Sequence, residues 1–305
     1  MRQMTRAFLF KLFLLLDKLG LHVLPKHYYT PVPDYSWLRT HKEAWTGRAS
    51  LAGVHWDLDQ QLEWLEGICK PYYREMAGLG FYKEAAARKL GPGFGPIESQ
   101  VVHCFVRAQA PPRIIEIGSG ISTACLLRAS EMNLQEGRAG SQIFAIEPYP
   151  KKALRDLGKT THLEQLCQTV PLSVFAQLKA GDLLFIDSSH AVKVGSDVIR
   201  IYLDIIPSLP PGVFIHIHDI YLPYLYPRSM LSYPFAWQET ALLLALLKNN
   251  QHMSVLACLS ALHYDRTDKL VALLSDYQPQ SNSEGLCVSF PAVGHFPNSL
   301  WLRTS

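Results

Sequence analysis

The chain has 305 residues, 48% of them hydrophobic and 18% charged, with a formal net charge of +3. That balance is the composition of an ordinary globular protein able to bury a sizeable core, either one large α/β domain or two small ones. With so little net charge and no block of consecutive basic residues, there is no electrostatic case for nucleic acid as a partner. Six cysteines are scattered without CxxC spacing, which fits buried thiols in a reduced, cytoplasmic protein rather than a disulfide framework.

In chain order, residues 1–25 begin basic and turn strongly apolar. Lys11 interrupts the apolar run, Asp17 and Lys18 end it, and no small-residue cleavage site follows, so neither a secretory signal nor a spanning helix is expected. At helical spacing Phe8, Leu12, Leu15, Leu16 and Leu19 share one side, with Lys11, Lys18 and His22 on its flank. The first expectation is a helix packed on its own domain or on a second subunit of a homo-oligomer. Peripheral contact with a membrane is the second. Residues 24–41, rich in proline and aromatics, read as an extended segment. Its Tyr28, Tyr29 and Trp37 are available to cover a cleft. Residues 57–76 have helical spacing at least up to Pro71, residues 89–97 form a loop, and residues 98–109 form a helix ending before Pro111 and Pro112.

From residue 113 the pattern alternates. Apolar β-type runs occur at 113–117, 142–146, 182–186, 213–220 and 253–259, separated by helix-compatible stretches such as 122–132 and 196–209. Short buried strands between helices predict an α/β, doubly wound, mainly parallel sheet. A last apolar run at 299–304 can close it as an antiparallel neighbour. The expected division is a helical and extended arm and cap over residues 1–90, then the α/β domain over residues 91–305.

In such sheets ligands sit at the carboxyl ends of the strands. Gly118 and Gly120 follow the first strand, where the backbone must turn sharply and approach a ligand closely. A dinucleotide fingerprint would need a third glycine at residue 123, which is threonine, and no GK[ST] follows for a P-loop. An NAD-linked oxidoreductase is therefore disfavoured. Glu147, at the tip of the second strand, is placed to hold a ribose diol.

Glu116-Ile-Gly-Ser-Gly together with Glu147, the run GDLLFIDSSHA and the run VFIHIHDIYLPYLYP resembles the class I S-adenosylmethionine-dependent methyltransferases, in the branch acting on natural products and glycans. The resemblance covers about residues 90–305. It implies a seven-stranded sheet with the last strand antiparallel, and S-adenosylmethionine held by Glu116, Gly118, Ser119, Gly120, Glu147, Asp187 and Ser188.

Two strand tips carry the residues fit for chemistry: Asp187 and His190 after one strand, His218 and Asp219 after the next. Methyl transfer to a hydroxyl needs the acceptor oriented and deprotonated, and a histidine titrating near neutrality, His190 or His218, suits that task. Carboxylates with a histidine also make a site for Mg²⁺ or Mn²⁺. In sugar and macrolide O-methyltransferases that the chain resembles, Asp-x-x-His followed by acid-Asp supplies metal ligands and base. Carried over, Asp187 and Asp219 match the ligands and His190 the base, while His218 departs from the pattern and would add an imidazole ligand. The aromatic stretch 220–239 suits an acceptor wall, with Tyr221, Tyr224 and Trp237 as candidate contacts for a small molecule. The expected function is O-methylation of a small natural product or glycosyl unit. N-methylation of a small amine and a non-catalytic partner subunit are the alternatives.

Overall fold

Seven short strands make one sheet in the order β3-β2-β1-β4-β5-β7-β6. They are β1 Arg113–Ile117, β2 Gln142–Ile146, β3 Thr160–Leu163, β4 Leu183–Ile186, β5 Phe214–Ile217, β6 Met253–Cys258 and β7 Leu300–Thr304. The pairs from β3 through β5 are parallel, and β7 runs antiparallel to both β5 and β6. This is a computed structural model, and it describes residues 3–91, 93–232, 235–280 and 293–305.

Twelve helices accompany the strands among the described residues: α1 Gln3–Asp17, α2 Tyr35–Thr40, α3 Leu58–Cys69, α4 Gly80–Ala87, α5 Pro96–Gln109, α6 Ile121–Gln135, α7 Lys152–Arg155, α8 Leu172–Phe175, α9 Asp197–Arg200, α10 Glu239–Leu247, α11 Leu259–Asp265 and α12 Thr267–Leu273. Alternation along the strands separates two apolar cores. Ile114, Leu183, Phe185 and Phe214 face one core, shared with α3, α5 and α6. Ile115, Ile117, Leu184, Ile186, Ile215 and Ile217 face the other. Both faces are covered, which is why these strands read as continuous apolar runs in the sequence.

The chain divides into two compact units, Met1–Ala44 and Trp45–Ser305. In the first unit, α1 ends in a left-handed turn at Gly20, where the Leu21 N–H bonds the Leu16 carbonyl. The segment expected to be wholly extended contains α2, because Asp34 caps it by accepting from the Ser36 and Trp37 N–H groups. In the second unit, Asp57 caps α3 in the same way. Gln61 of α3 then accepts from the buried Cys258 N–H at 2.9 Å, pinning the helix to the end of β6. The boundary expected at residue 90 thus falls inside a unit whose helices α3 and α5 share one core.

β3 was not expected. Its sequence, Thr-Thr-His-Leu, lies at the sheet edge and half-exposed, and has no apolar run to announce it. Asp197 and Arg200, at the two ends of α9, take different partners. Asp197 accepts from the Ser189 N–H and hydroxyl, and Arg200 bonds Asp204. His103 is buried and bonds Glu75 at 2.6 Å. Arg107, also buried, holds the same carboxylate and Glu136. This cluster ties the segment Tyr73–Leu79 to α5 and α6.

Candidate active site

At the tip of β1 the chain turns through Gly118, whose φ is +85°. A β-carbon there would lie 2.0 Å from the Asp187 carbonyl oxygen at the tip of β4, so no side chain is tolerated. The Gly118 N–H bonds the Ile146 carbonyl, and the Asp187 N–H bonds the Ile117 carbonyl, so three strand tips are fastened together. Gly120 has extended backbone and no atom within van der Waals reach except Gly91.

Beside this turn is a cavity of about 360 Å³ whose wall includes Gly118, Glu147, Asp187 and Ser188. The Ser188 hydroxyl is buried there without a partner, as is that of Ser119 in the turn, and Glu147 holds the Tyr149 N–H. Orphaned hydroxyls beside a glycine turn and a strand-tip carboxylate suit a polar, nucleoside-like ligand, so these residues fit S-adenosylmethionine.

Glu116 is elsewhere. Its side chain is fully buried and pairs with the Ser122 hydroxyl at 2.6 Å and the Thr123 hydroxyl at 2.8 Å. Burial, opposed by those hydrogen bonds but helped by Asp187 and Glu147, pushes its pKa up to about 8. The sequence reading made Glu116 a cofactor contact. The structure turns it inward, because residue 116 shares the strand face of Ile114 that packs on α6. There it fixes the first turn of that helix to β1.

His190 follows β4 with a left-handed φ of +58°, and Asp219 follows β5 with +56°. The two meet. His190 Nε2 lies 3.4 Å from Asp187 and 3.3 Å from Asp219, while Nδ1 donates to Glu239 at 2.6 Å. Glu239, at the start of α10, is 1% exposed. Burial disfavours a charged ring, but Asp187, Glu239 and Asp219 outweigh it and hold His190 well above the ordinary histidine range. Asp187 experiences the converse: burial pushes its carboxyl up, and His218 and His190 bring it below its usual value. Asp219 is further fixed by the Tyr221 hydroxyl and the Asn298 amide.

His218 was expected as a base or metal ligand, and its position supports neither. Its ring is 2% exposed and lies against Phe94, with Nε2 directed at the Gly93 carbonyl at 3.2 Å. Burial lowers its proton affinity, yet Asp219, Asp187 and Glu98 together raise it above the usual range. The ring therefore anchors the loop before α5. His216 and His218, two residues apart, share a face of the sheet. His216 stacks on Phe185 at 4.2 Å, and burial holds it well below the ordinary histidine range, so it is a neutral core ring without a side-chain hydrogen bond.

Among the described residues, no group of three or more His, Cys, Asp or Glu is arranged to hold a metal ion. The cause is local. The His190 ring already bridges Asp187 and Asp219, and His218 points to a backbone carbonyl, so the expected set of Asp187, His218 and Asp219 for Mg²⁺ or Mn²⁺ is not assembled.

A second cavity, about 460 Å³, is walled by Glu98, Asp219, Tyr221, Phe235, Trp237, Phe296 and Asn298 among others. Tyr221 and Trp237 line it, and Trp237 meets the His190 ring edge-on at 5.4 Å. Tyr224 does not: it packs against Tyr264, with the Arg48 guanidinium over its ring. Glu239, Asn298, Glu98 and the glycine loop 93–95 were missed. In the sequence they are a helix-start acid, an isolated asparagine, a helix-face acid and a loop, with no spacing that links them to residues 187–219.

Residues 115–220 match a family model described as a methyltransferase domain. A curated Archaeoglobus fulgidus protein, described as uncharacterized, is 28% identical over 169 residues, spanning 51% of this chain and 73% of its own length. Among solved structures, an SAH-bound methyltransferase of Podospora anserina is 16% identical, with 93% of this chain and 99% of that chain covered and a TM-score of 0.40. An O-methyltransferase of Bacillus cereus in complex with SAH is 14% identical, with 80% and 100% covered and a TM-score of 0.44.

Proposed function

We propose that this chain, a class I S-adenosylmethionine-dependent methyltransferase, methylates a hydroxyl group of a small, largely apolar acceptor with His190 as the base. The carrying observation is that His190 Nε2 bridges Asp187, in the wall of one cavity, and Asp219, in the wall of the other. A proton acceptor in contact with one wall residue of each cavity suits the place where a bound methyl donor and a bound acceptor would meet. When bound, S-adenosylmethionine supplies a methyl group on a cationic sulfonium, whose charge also lowers the proton affinity of a neighbouring imidazole.

The protein's part follows from its own groups. Gly118, Glu147 and Ser188 hold the nucleoside side. Asp219, locked by Asn298 and Tyr221, lines the acceptor cavity beside Nε2, where its carboxylate stabilises the imidazolium once the proton has moved. Neutral His190 takes the hydroxyl proton at Nε2, and buried Glu239 at Nδ1 fixes the tautomer and stabilises the imidazolium that forms. A base with proton affinity above the ordinary histidine range suits a hydroxyl, whereas a neutral amine attacks without prior deprotonation. The aromatic wall of Tyr221, Phe235, Trp237 and Phe296 suits a flat ring, natural-product phenol or sugar.

The test is mass spectrometry of phenolic and glycosyl acceptors incubated with the purified chain and S-adenosylmethionine. Gain of one methyl on oxygen, lost in His190→Ala, supports the reading. Methylation confined to amines, or unchanged in His190→Ala, sinks it.

A further inference from the structure

We propose that the first unit, residues 1–44, docks the chain on an anionic lipid surface. This rests on a different part of the molecule from the methyl-transfer site and stands apart from that reading.

Helix α1 is apolar on almost every side, yet its side chains from residue 8 onward are mostly exposed. Phe8 is 67% exposed, Leu15 60% and Leu19, in the turn closing the helix, 70%. At helical spacing Phe8, Leu12, Leu15 and Leu19 form one continuous stripe, and Lys11 and Lys18 lie along its edge. Leaving such a stripe in water is costly, so it marks a surface that something covers.

Length and charge identify the cover. The 15 residues of α1 span about 22 Å at the usual helical rise, short of the ~30 Å of a hydrocarbon core. No helix among the described residues is long and apolar enough to cross a membrane. An apolar helix too short to span, edged by lysines whose ammonium groups can reach outward from buried stems, matches a helix lying in the interface. Residues 1–44 carry seven Lys and Arg against three Asp and Glu, a net of +4, while residues 45–305 carry 22 against 23, a net of −1. The positive charge of the chain is concentrated in the unit that bears the exposed stripe, which is complementary to acidic headgroups. A second copy of the same unit would bring like charges together.

The same unit holds rings of the kind that settle at headgroup depth. Tyr28 and Tyr29 are mostly exposed and packed against His27, with ring centres 4.2 Å and 5.1 Å away. Trp37 is exposed and stacked on His41.

The experiment is vesicle flotation of the full chain with phosphatidylcholine alone and with phosphatidylserine added, with light scattering and circular dichroism in parallel. Expected is capture by phosphatidylserine vesicles that falls with salt. Capture should drop about tenfold or more in Lys11→Glu/Lys18→Glu, and be lost in Leu12→Glu/Leu15→Glu with the melting of the second unit unchanged. Equal capture by uncharged vesicles overturns the proposal. So does absence of capture, including the case in which the chain is a dimer that Leu12→Glu/Leu15→Glu dissociates.

Discussion

The two cavities, each with a wall carboxylate paired to His190, are built in opposite ways. The one holding Glu147 and Ser188 is made from the tips of adjacent strands, so its wall residues follow apolar runs at regular intervals in the sequence. The one holding Tyr221 and Trp237 is assembled from distant stretches, around residues 93–98, 219–237, 280 and 294–298. A nucleoside-like ligand can be served by backbone geometry common to a sheet of this type. An acceptor has to be recognised by side chains that loops bring from far away. The first cavity should tolerate little change in its backbone, and the second should be tunable side chain by side chain.

Four substitutions press on that contrast, and a fifth tests its edge. His190→Ala is expected to lower kcat/KM by about 100- to 10,000-fold, as for loss of a general base, with S-adenosylhomocysteine affinity by calorimetry little changed. Gly118→Ala places a β-carbon against the Asp187 carbonyl. It should destabilise the fold by about 2–4 kcal/mol and abolish cofactor binding, read by thermal melting and titration. Trp237→Ala, on the acceptor side, should raise acceptor KM about tenfold through lost ring contact and leave cofactor affinity alone. If Trp237→Ala weakens both ligands equally, the two cavities are not separable.

The fourth is a pH profile. On the proposed reading activity requires neutral His190, and the surrounding carboxylates hold its proton to higher pH. Hence kcat/KM in the free enzyme should rise with pH, with a midpoint above the ordinary histidine value. Glu239→Gln removes one of those carboxylates and should move the midpoint to lower pH, a shift that a merely structural defect would not produce. The smallest effect is Glu116→Gln, expected to change cofactor affinity by less than about threefold because the side chain is buried beneath the turn. Its signature lies in stability. Glu116 is protonated in the folded chain up to about 8, so its stabilisation is full below the unfolded carboxylate pKa and is lost as pH rises towards about 8. Melting of Glu116→Gln should lack that decline.

What could be read in advance follows the same division. The strands from 113 to 304, the turn at Gly118 and the convergence of residues 187, 190 and 219 were legible because apolar runs mark strands and strand tips share an edge. β3 was hidden by its polar composition at the sheet edge. The partners that decide the chemistry were hidden by distance. Glu239 is 49 residues from His190, Asn298 is 79 from Asp219, and Gly93 is 125 from His218. Contacts of that span leave no periodicity in one sequence. The inward turn of Glu116 was readable from strand alternation, but the glycine motif beside it invited a ligand role.

The left-handed backbone at both His190 and Asp219 sets a conflict for anyone improving this protein. Glycine would relieve the conformational cost at either position, by about 1 kcal/mol. Glycine would also leave Glu239 and Asp187, or Asn298, without a partner, and a buried group left unpaired costs more than the strain relieved, so a screen for thermal tolerance should keep both side chains. If these two residues carry the proposed reaction, stabilising the chain without losing turnover means leaving them untouched and working on the surfaces of the helices instead.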